Sequence, residues 1–424
     1  MKTDTTSPAS VATEPELFCS DDWFDPLEAG VRTRIRGFIE GMLESELDGV
    51  LSRQRYERRG TAADYAAEQT PRSAPLGHRH GHRERQLMGS FGNVRVRVPR
   101  ARLANPEGGT MEWRNATIPA YQRRTKRAEA LIAAAYLAGV NTRRVRRALR
   151  ALFGGAVGKD VVSRAWRKLE GDWRAWNERD LSGEPIVRLI LDGTTVRARL
   201  DGRSTSISLL VAVGVRADGQ KVLLAVRNMG GESEAAWRAL LDDLVARGLR
   251  TPEFVIVDGA AGLERALAAL WPTVPQQRCT VHKHRNLLAH APKHLHDEIT
   301  DDYKAMIYAE TVREIFERRR SFIRKWRLKC RAVADSLVEA GERLFSFTRL
   351  PSSQWKSART TNAIERLHEE FKRRIKTQTL LPSAETAAML FWALLASGQI
   401  IMRKVDGWQT LAEKVTDQPL DLAA

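Results

Sequence analysis

The chain has 424 residues, enough for two or three domains. Hydrophobic residues make up 43% and charged residues 29%, a globular composition that excludes a disordered chain. With 69 Lys and Arg against 52 Asp and Glu the net charge is +17, which favours a polyanion, nucleic acid first, as partner.

Residues 1–24 are rich in Thr, Ser, Pro and acids and read as a mobile leader, unlike a signal peptide. A region over residues 25–180 follows. Leu27, Val31, Ile35, Phe38, Met42 and Leu47 predict a helix from about Pro26 to Arg58 with those residues on its apolar face. The stretch from Gly60 to His82 reads as a flexible, basic loop. Its alternating His78, His80 and His82 are a weak metal candidate. A hairpin is predicted at 83–98, where Val94, Val96 and Val98 alternate with Arg95 and Arg97. Residues 126–176 are helical in pattern. Leu131, Ile132, Tyr136 and Leu137 lead to Gly139-Val140-Asn141-Thr142, and Asn141 or Thr142 suits an N-cap. The next helix carries Arg143, Arg144, Arg146, Arg147 and Arg150, and after Gly154-Gly155 a third begins near Lys159. Short helices with an arginine-rich middle member suggest a helix-turn-helix DNA reader. A three-helix cluster with a solvated arginine face is the other reading.

Residues 186–283 carry the clearest organisation. Apolar strands are predicted from Ile186 to Leu200, Ser204 to Val215 and Lys221 to Val226, with Asp201-Gly202 and Asp218-Gly219 as turns. A helix from Glu232 to Arg247 follows, with Ala236, Leu240, Leu241 and Leu244 on one side. Phe254 to Val257 is a short buried strand, and Ala260 to Leu270 another helix. Meander, helix, strand, helix is the order of a ribonuclease-H-like fold. In that topology the first and fourth strands are neighbours, bringing Asp192 near Asp258 across 66 residues of sequence. Residues 284–355 then read as a basic, all-α insertion, with Arg318, Arg319, Arg320, Arg324 and Lys325 crowding one segment.

A helix from about Arg359 to Lys376 is predicted, with Ile364, Leu367, Phe371 and Ile375 as its apolar stripe. Asn362, Glu365, Glu369 and Lys372 fall on the adjacent stripe, so Glu365 can face the two aspartates and Lys372 can hold a phosphate. A carboxylate inside a strand is costly unless paired, hydrogen-bonded or bound to a cation. Asp192, Asp258 and Glu365 together therefore suggest two Mg²⁺ or Mn²⁺ ions acting on phosphodiesters. Taken singly, Asp258 could cap the next helix and Glu365 could be a solvated charge. Cys279 and His282 form a Cys-x-x-His pair, half of a zinc site. No second cysteine pair exists, so a structural hydrogen-bonded pair is expected rather than zinc. Three cysteines, Cys19, Cys279 and Cys330, make no disulfide framework. No apolar run is long enough for a membrane span, and a cytoplasmic protein with no membrane partner is expected.

Four segments carry a resemblance. They are Leu191-Asp192-Gly193-Thr194, Val257-Asp258-Gly259, the run Gln277-Arg278-Cys279-Thr280-Val281-His282-Lys283-His284-Arg285-Asn286-Leu287-Leu288, and Arg359-Thr360-Thr361-Asn362-Ala363-Ile364-Glu365-Arg366-Leu367. Over roughly residues 80 to 410 the chain resembles bacterial insertion-sequence transposases of the mutator type. The resemblance implies an α/β protein: a ribonuclease-H-like catalytic core in two parts, 186–283 and 356–410, holding the all-α insertion. A mainly helical N-terminal DNA-binding region would precede it and a tail, 411–424, would follow. It implies Asp192, Asp258 and Glu365 as an Asp-Asp-Glu triad and Lys372 as the basic residue seven positions after the Glu. It implies Cys279 and His282 as a family hallmark. It further implies binding of terminal inverted repeats by the N-terminal region, cleavage at 3′ ends and strand transfer. Arg143, Arg144, Arg146 and Arg147 would contact double-stranded DNA of the element ends. A homodimer or larger assembly on DNA, nucleoid-associated, is expected. His368 departs from the family by standing where Asn is usual. A catalytically idle DNA-binding derivative and a nuclease on the same fold are the alternatives.

Overall fold

Charge pairing, more than apolar periodicity, decides which side of the first helix turns inward. The computed structural model describes residues 26–56, 77–105, 109–137, 145, 149–153, 157, 159–200, 203–375, 381 and 383–413. The leader, the turn at Gly139 to Thr142, the arginines Arg143, Arg144, Arg146 and Arg147, the Gly154-Gly155 pair, the Asp201-Gly202 turn and the tail beyond residue 413 lie outside the described residues. The chain divides into two units, Met1–Tyr136 with Thr142–Trp166, and Leu137–Asn141 with Arg167–Ala424.

In the first unit, helix α1 (Pro26–Leu51) packs on a three-stranded antiparallel sheet of β1 (Gly77–Gly89), β2 (Gly92–Ala104) and β3 (Thr110–Glu112). Helices α2 (Lys126–Leu137) and α3 (Arg150–Phe153) follow, and α4 (Lys159–Glu178) begins in this unit and ends in the second. The buried row of α1 is Leu43, Leu47 and Leu51. Leu43 meets Val94, Val96 and Val98, and Leu47 and Leu51 meet Ala101 and Trp113. The predicted apolar face is corrected: Leu27, Val31, Phe38 and Met42 are exposed. Acids on α1 set the rotation. Glu44 accepts from Arg79 at 2.8 Å and contacts His82 Nε2 at 2.9 Å, and Glu40 accepts from the Arg97 amide at 2.8 Å.

The hairpin is longer than the predicted 83–98, and His78, His80 and His82 stand on β1 instead of in a loop. The register shifts between Arg79 and His82, and Gly81 there has a φ of +102°, a conformation natural to glycine. That bulge breaks the alternation of β1 just before residue 83, where the predicted hairpin began.

The second unit is built on β4 (Ile186–Leu200), β5 (Arg203–Arg216), β6 (Lys221–Asn228), β7 (Phe254–Val257) and β8 (Gln276–Arg278), in the order β6-β5-β4-β7-β8. The first three are antiparallel, and β7 and β8 run parallel to β4 and β7 respectively. Helices α5 (Glu234–Ala246) and α6 (Ala261–Leu270) cover one face. Leu189, Leu191, Leu210, Val255 and Val257 meet Trp237, Leu241, Leu244, Leu263 and Leu267 there. Ser233 caps α5 by accepting from the Ala236 amide at 3.2 Å.

The chain then runs through α7 (Thr280–Ala289), α8 (His296–Ile307), α9 (Val312–Lys329), α10 (Arg331–Glu339) and α11 (Trp355–Ala358), with short 3₁₀ turns between. Buried Gln277 on β8 holds this helical excursion to the sheet. Its Nε2 donates to the Leu344 carbonyl at 2.8 Å, and its Oε1 accepts from the Phe347 amide at 2.7 Å. Arg278 and Lys283 both reach Glu339, at 2.8 and 3.0 Å. Finally α12 (Asn362–Ile375) lies against β4, and α13 (Ala384–Ala396) against β5 and β6. Phe371 of α12 and Phe391 of α13 stack edge-on, centroids 5.1 Å apart. Helices on both sides explain why β4 is almost continuously buried across Arg188–Asp192. No helix among the described residues is long and apolar enough to cross a membrane.

Phe371 is fully buried. Phe371→Ala is expected to cost about 3–5 kcal/mol, read as an earlier urea transition of the purified chain.

Candidate active site

β4 and β7 pair in parallel with Leu191 beside Val257. The next residues, Asp192 and Asp258, are therefore neighbours across a strand spacing of about 4.8 Å. Leu191 and Val257 point into the helix-covered core, so pleating turns Asp192 to the other side. Asp192 is only 3% exposed. Burial, then the charges of Asp258, Glu365 and Glu232, push its carboxyl up to about 7, with His282 acting against them. Asp258 also accepts from the Ala260 amide at 2.9 Å, so it caps the turn into α6 while facing Asp192.

Glu232 went unread in the sequence. It sits between Gly230-Gly231 and the N-cap Ser233, with nothing in its spacing to mark it. Gly193 makes room for it: a Cβ at position 193 would lie 2.3 Å from the Glu232 carboxyl carbon. Burial first, and the Asp258 charge second, raise the Glu232 carboxyl above its ordinary range.

Glu365 arrives from α12. Its Oε1 accepts from Arg285 at 2.8 Å and lies 3.4 Å from His282 Nε2. His282 follows Cys279, which sits at the end of β8, where its amide donates to the Val257 carbonyl at 2.7 Å. The two side chains hydrogen-bond one another. That bond, with the charges of Cys279, Asp192 and Glu365, outweighs burial and pushes the imidazole up to about 9. Burial opposes ionisation of the Cys279 thiol, but hydrogen bonds with His282 and Thr361 bring it below its usual value. The Thr361 amide donates to Cys279 Sγ at 3.4 Å, and Thr361 Oγ1 is 3.5 Å from His282 Nδ1. Thr280 closes the contact by donating to the Arg359 carbonyl from its amide at 2.9 Å and its hydroxyl at 3.1 Å. The contact between Cys279–His282 and Arg359–Thr361 thus fixes the start of α12, which puts Glu365 within the charge field of Asp192.

His368 is a second residue the sequence did not assign to the site. It is buried one turn after Glu365, with Nδ1 3.8 Å from Asp192 Oδ2. Burial, then Lys372 and His282, push the imidazole down to about 3. It is neutral, so this contact is dipolar despite its ion-pair distance. Lys372 itself is exposed on α12.

Asp192 inside β4, Asp258 and Cys279 just past the ends of β7 and β8, His282 on α7 and Glu365 on α12 thus converge on one region. Among the described residues no three His, Cys, Asp or Glu side chains are grouped so as to hold one metal ion as they stand.

The family model described as "Transposase, Mutator family" matches residues 20–401. The chain belongs to the mutator family of transposases. It is 32% identical over 327 residues to the transposase for insertion sequence element ISRM5 of Rhizobium meliloti, covering 77% of this chain and 80% of that one. It is 31% identical over 307 residues to the transposase for IS905 of Lactococcus lactis, covering 72% and 76%. Against the transposase for IS256 in transposon Tn4001 of Staphylococcus aureus it is 29% identical over 319 residues, covering 75% and 80%. Membership makes this transposase a DNA-cleaving and strand-transferring enzyme of a class that depends on divalent metal.

The Asp192 carboxyl carries a pH signature. Its folded value, about 7, lies above the ordinary 3.8. Between those values the folded transposase holds a proton that the unfolded chain has released, so this group's contribution to stability falls as pH rises and is fully unfavourable above about 7. Asp192→Asn is expected to stabilise the metal-free protein by on the order of 2–4 kcal/mol at about pH 8, and to be near neutral at about pH 4. Melting curves at the two pH values check this.

Proposed function

We propose that this transposase binds the terminal inverted repeats of its own element through residues 25–180 and cuts and joins DNA at Asp192, Asp258 and Glu365. Residues 186–283 and 356–410 are read as the two parts of a ribonuclease-H-like core, and 284–355 as its helical insertion. The strand order β6-β5-β4-β7-β8, antiparallel then parallel, supports that fold. The observation that carries the catalytic reading is the parallel register of Leu191 with Val257, which sets two aspartates side by side within the charge field of Glu365.

The donor set fits a divalent metal. Carboxylate oxygens suit Mg²⁺ or Mn²⁺. Burial and neighbouring charge raise the Asp192 carboxyl to about 7 with no cation present, and Gly193 leaves the space that a side chain would fill. Asp192, Asp258 and Glu365 would hold two such ions, which supply Lewis acidity at the attacking and leaving oxygens. The chain's own residues prepare the rest. Water opens the phosphodiester at an element end, and the freed 3′-hydroxyl attacks the target phosphorus, one P–O bond forming as another breaks. Burial around Asp192 keeps bulk water from that carboxyl. His282 and Arg285 hold Glu365 in place and balance its charge. Lys372, seven positions beyond Glu365, steers a phosphate. Arg143, Arg144, Arg146 and Arg147 contact the element ends, which a homodimer or larger assembly brings together.

Asp192→Asn, Asp258→Asn and Glu365→Gln are each expected to lower cleavage and strand transfer by about 10³-fold or more while leaving DNA binding in place. The assay is Mg²⁺-dependent cleavage of supercoiled DNA carrying the element ends. Undiminished cleavage by Asp192→Asn overturns the assignment.

A further inference from the structure

The second unit carries a cationic groove that the catalytic reading does not use. Arg366 and Arg373, with Glu370 between them, form one row on α12, adjoining the row that bears Glu365. This row walls a cavity of about 850 Å³, closed elsewhere by Lys221 at the start of β6, Lys356 on α11 and the segment from Gln399 to Asp406. The described lining holds seven Lys and Arg residues against two acids. Both acids are engaged: Asp406 pairs with Lys356 at 3.0 Å, and Glu370 with Arg373 at 2.5 Å. Among the described residues no carboxylate lies within ion-pair distance of Lys221, Arg366 or Arg403. Burial lowers the Lys221 ammonium, and Arg366 lowers it further against the pull of Asp406. Cations held together without counter-ions repel one another, and a bound polyanion relieves this.

The shape narrows the ligand. Arg366 and Arg373 are separated by about 10 Å along the helix, roughly three base-pair rises measured along a duplex axis. Ser357, Thr360 and Asn362 add neutral hydrogen-bonding groups at the same wall. The described lining holds no aromatic side chain, so nothing there stacks a base, as a nucleotide or single-strand site would require.

We infer that this groove binds the phosphate backbone of duplex DNA running on from the cleavage site, gripping it through Lys221, Arg366 and Arg403. The inference rests on the reading of Glu365 as part of the cutting site, because that residue fixes where the duplex begins. Two duplexes could supply the backbone, the element end or the target.

The test measures binding of two short duplexes, one with the element end and one of unrelated sequence, over a salt series with chelator present. Lys221→Ala/Arg403→Ala is compared with the parent chain and with Lys221→Arg/Arg403→Lys. The alanine double variant is expected to bind about tenfold more weakly, with its log–log salt slope reduced by about 1–2, while the conservative pair keeps the parent slope. Loss confined to the element-end duplex assigns the groove to that end, loss confined to the unrelated duplex assigns it to target, and equal loss assigns it to either backbone. Unchanged slopes and affinities on both duplexes, in a variant with an unaltered melting curve, overturn the inference. Because no chemistry occurs in chelator, the result is independent of Asp192→Asn. If that variant still cleaves while the slopes shift, the catalytic reading fails and the groove stands. If it is inactive and the slopes stay, the reverse holds.

Discussion

A carboxylate with 3% exposure in the middle of a sheet is the constraint around which the second unit is organised. Water cannot solvate Asp192, and its nearest anionic neighbours make ionisation harder still. The surroundings respond in a graded way. His368 sits neutral against it and His282 supplies positive charge within the same field, while Gly193 gives up a side chain and admits Glu232, which adds to the negative charge. None of these groups neutralises the aspartate completely. The unit therefore keeps an electrostatic demand at this carboxyl that its own side chains do not meet.

Meeting that demand at a defined place requires α12 to be fixed relative to the sheet. Apolar packing through Ile364, Leu367 and Phe371 provides adhesion but little orientation. Orientation comes from the contact between Cys279–His282 and Arg359–Thr361, where amide, thiol, hydroxyl and imidazole groups have directional partners. A thiol here acts as an acceptor for a buried amide, which explains a cysteine at this point with no disulfide partner. The two longest motifs in the sequence are the two sides of this single contact.

How much of this could be read in advance depended on whether a residue's role was local. Asp192 and Asp258 interrupt apolar strands, and the cost of that interruption is visible in one dimension. The stripe of α12 was legible because Ile364, Leu367, Phe371 and Ile375 face only one partner surface. Helix α1 misled because it has apolar residues on more than one side, and the choice of Leu43, Leu47 and Leu51 is made by acids reaching residues on strands 31 to 57 positions away, a separation shown by the bonds from Arg79 to Asp48 and from Arg97 to Glu40. Strand β8 is three polar-leaning residues, Gln-Gln-Arg, and becomes a strand only because β7 offers it an edge. Glu232 had no local mark, and His368 was marked only by standing where Asn is usual; their placement exists only after β4, the loop before α5 and α12 have met.

The bond between Thr280 and Arg359 also defines the foot of everything in between. The polypeptide leaves the sheet after β8, travels through five helices, and returns to within 2.9 Å of its departure point before α12 begins. Such an excursion is a stem-closed module. Adding or removing helices within it changes the entropy of closing the loop only slowly, about 0.6 kcal/mol for each doubling of length. Evolution can therefore resize or redecorate that module without disturbing the position of the glutamate that follows it.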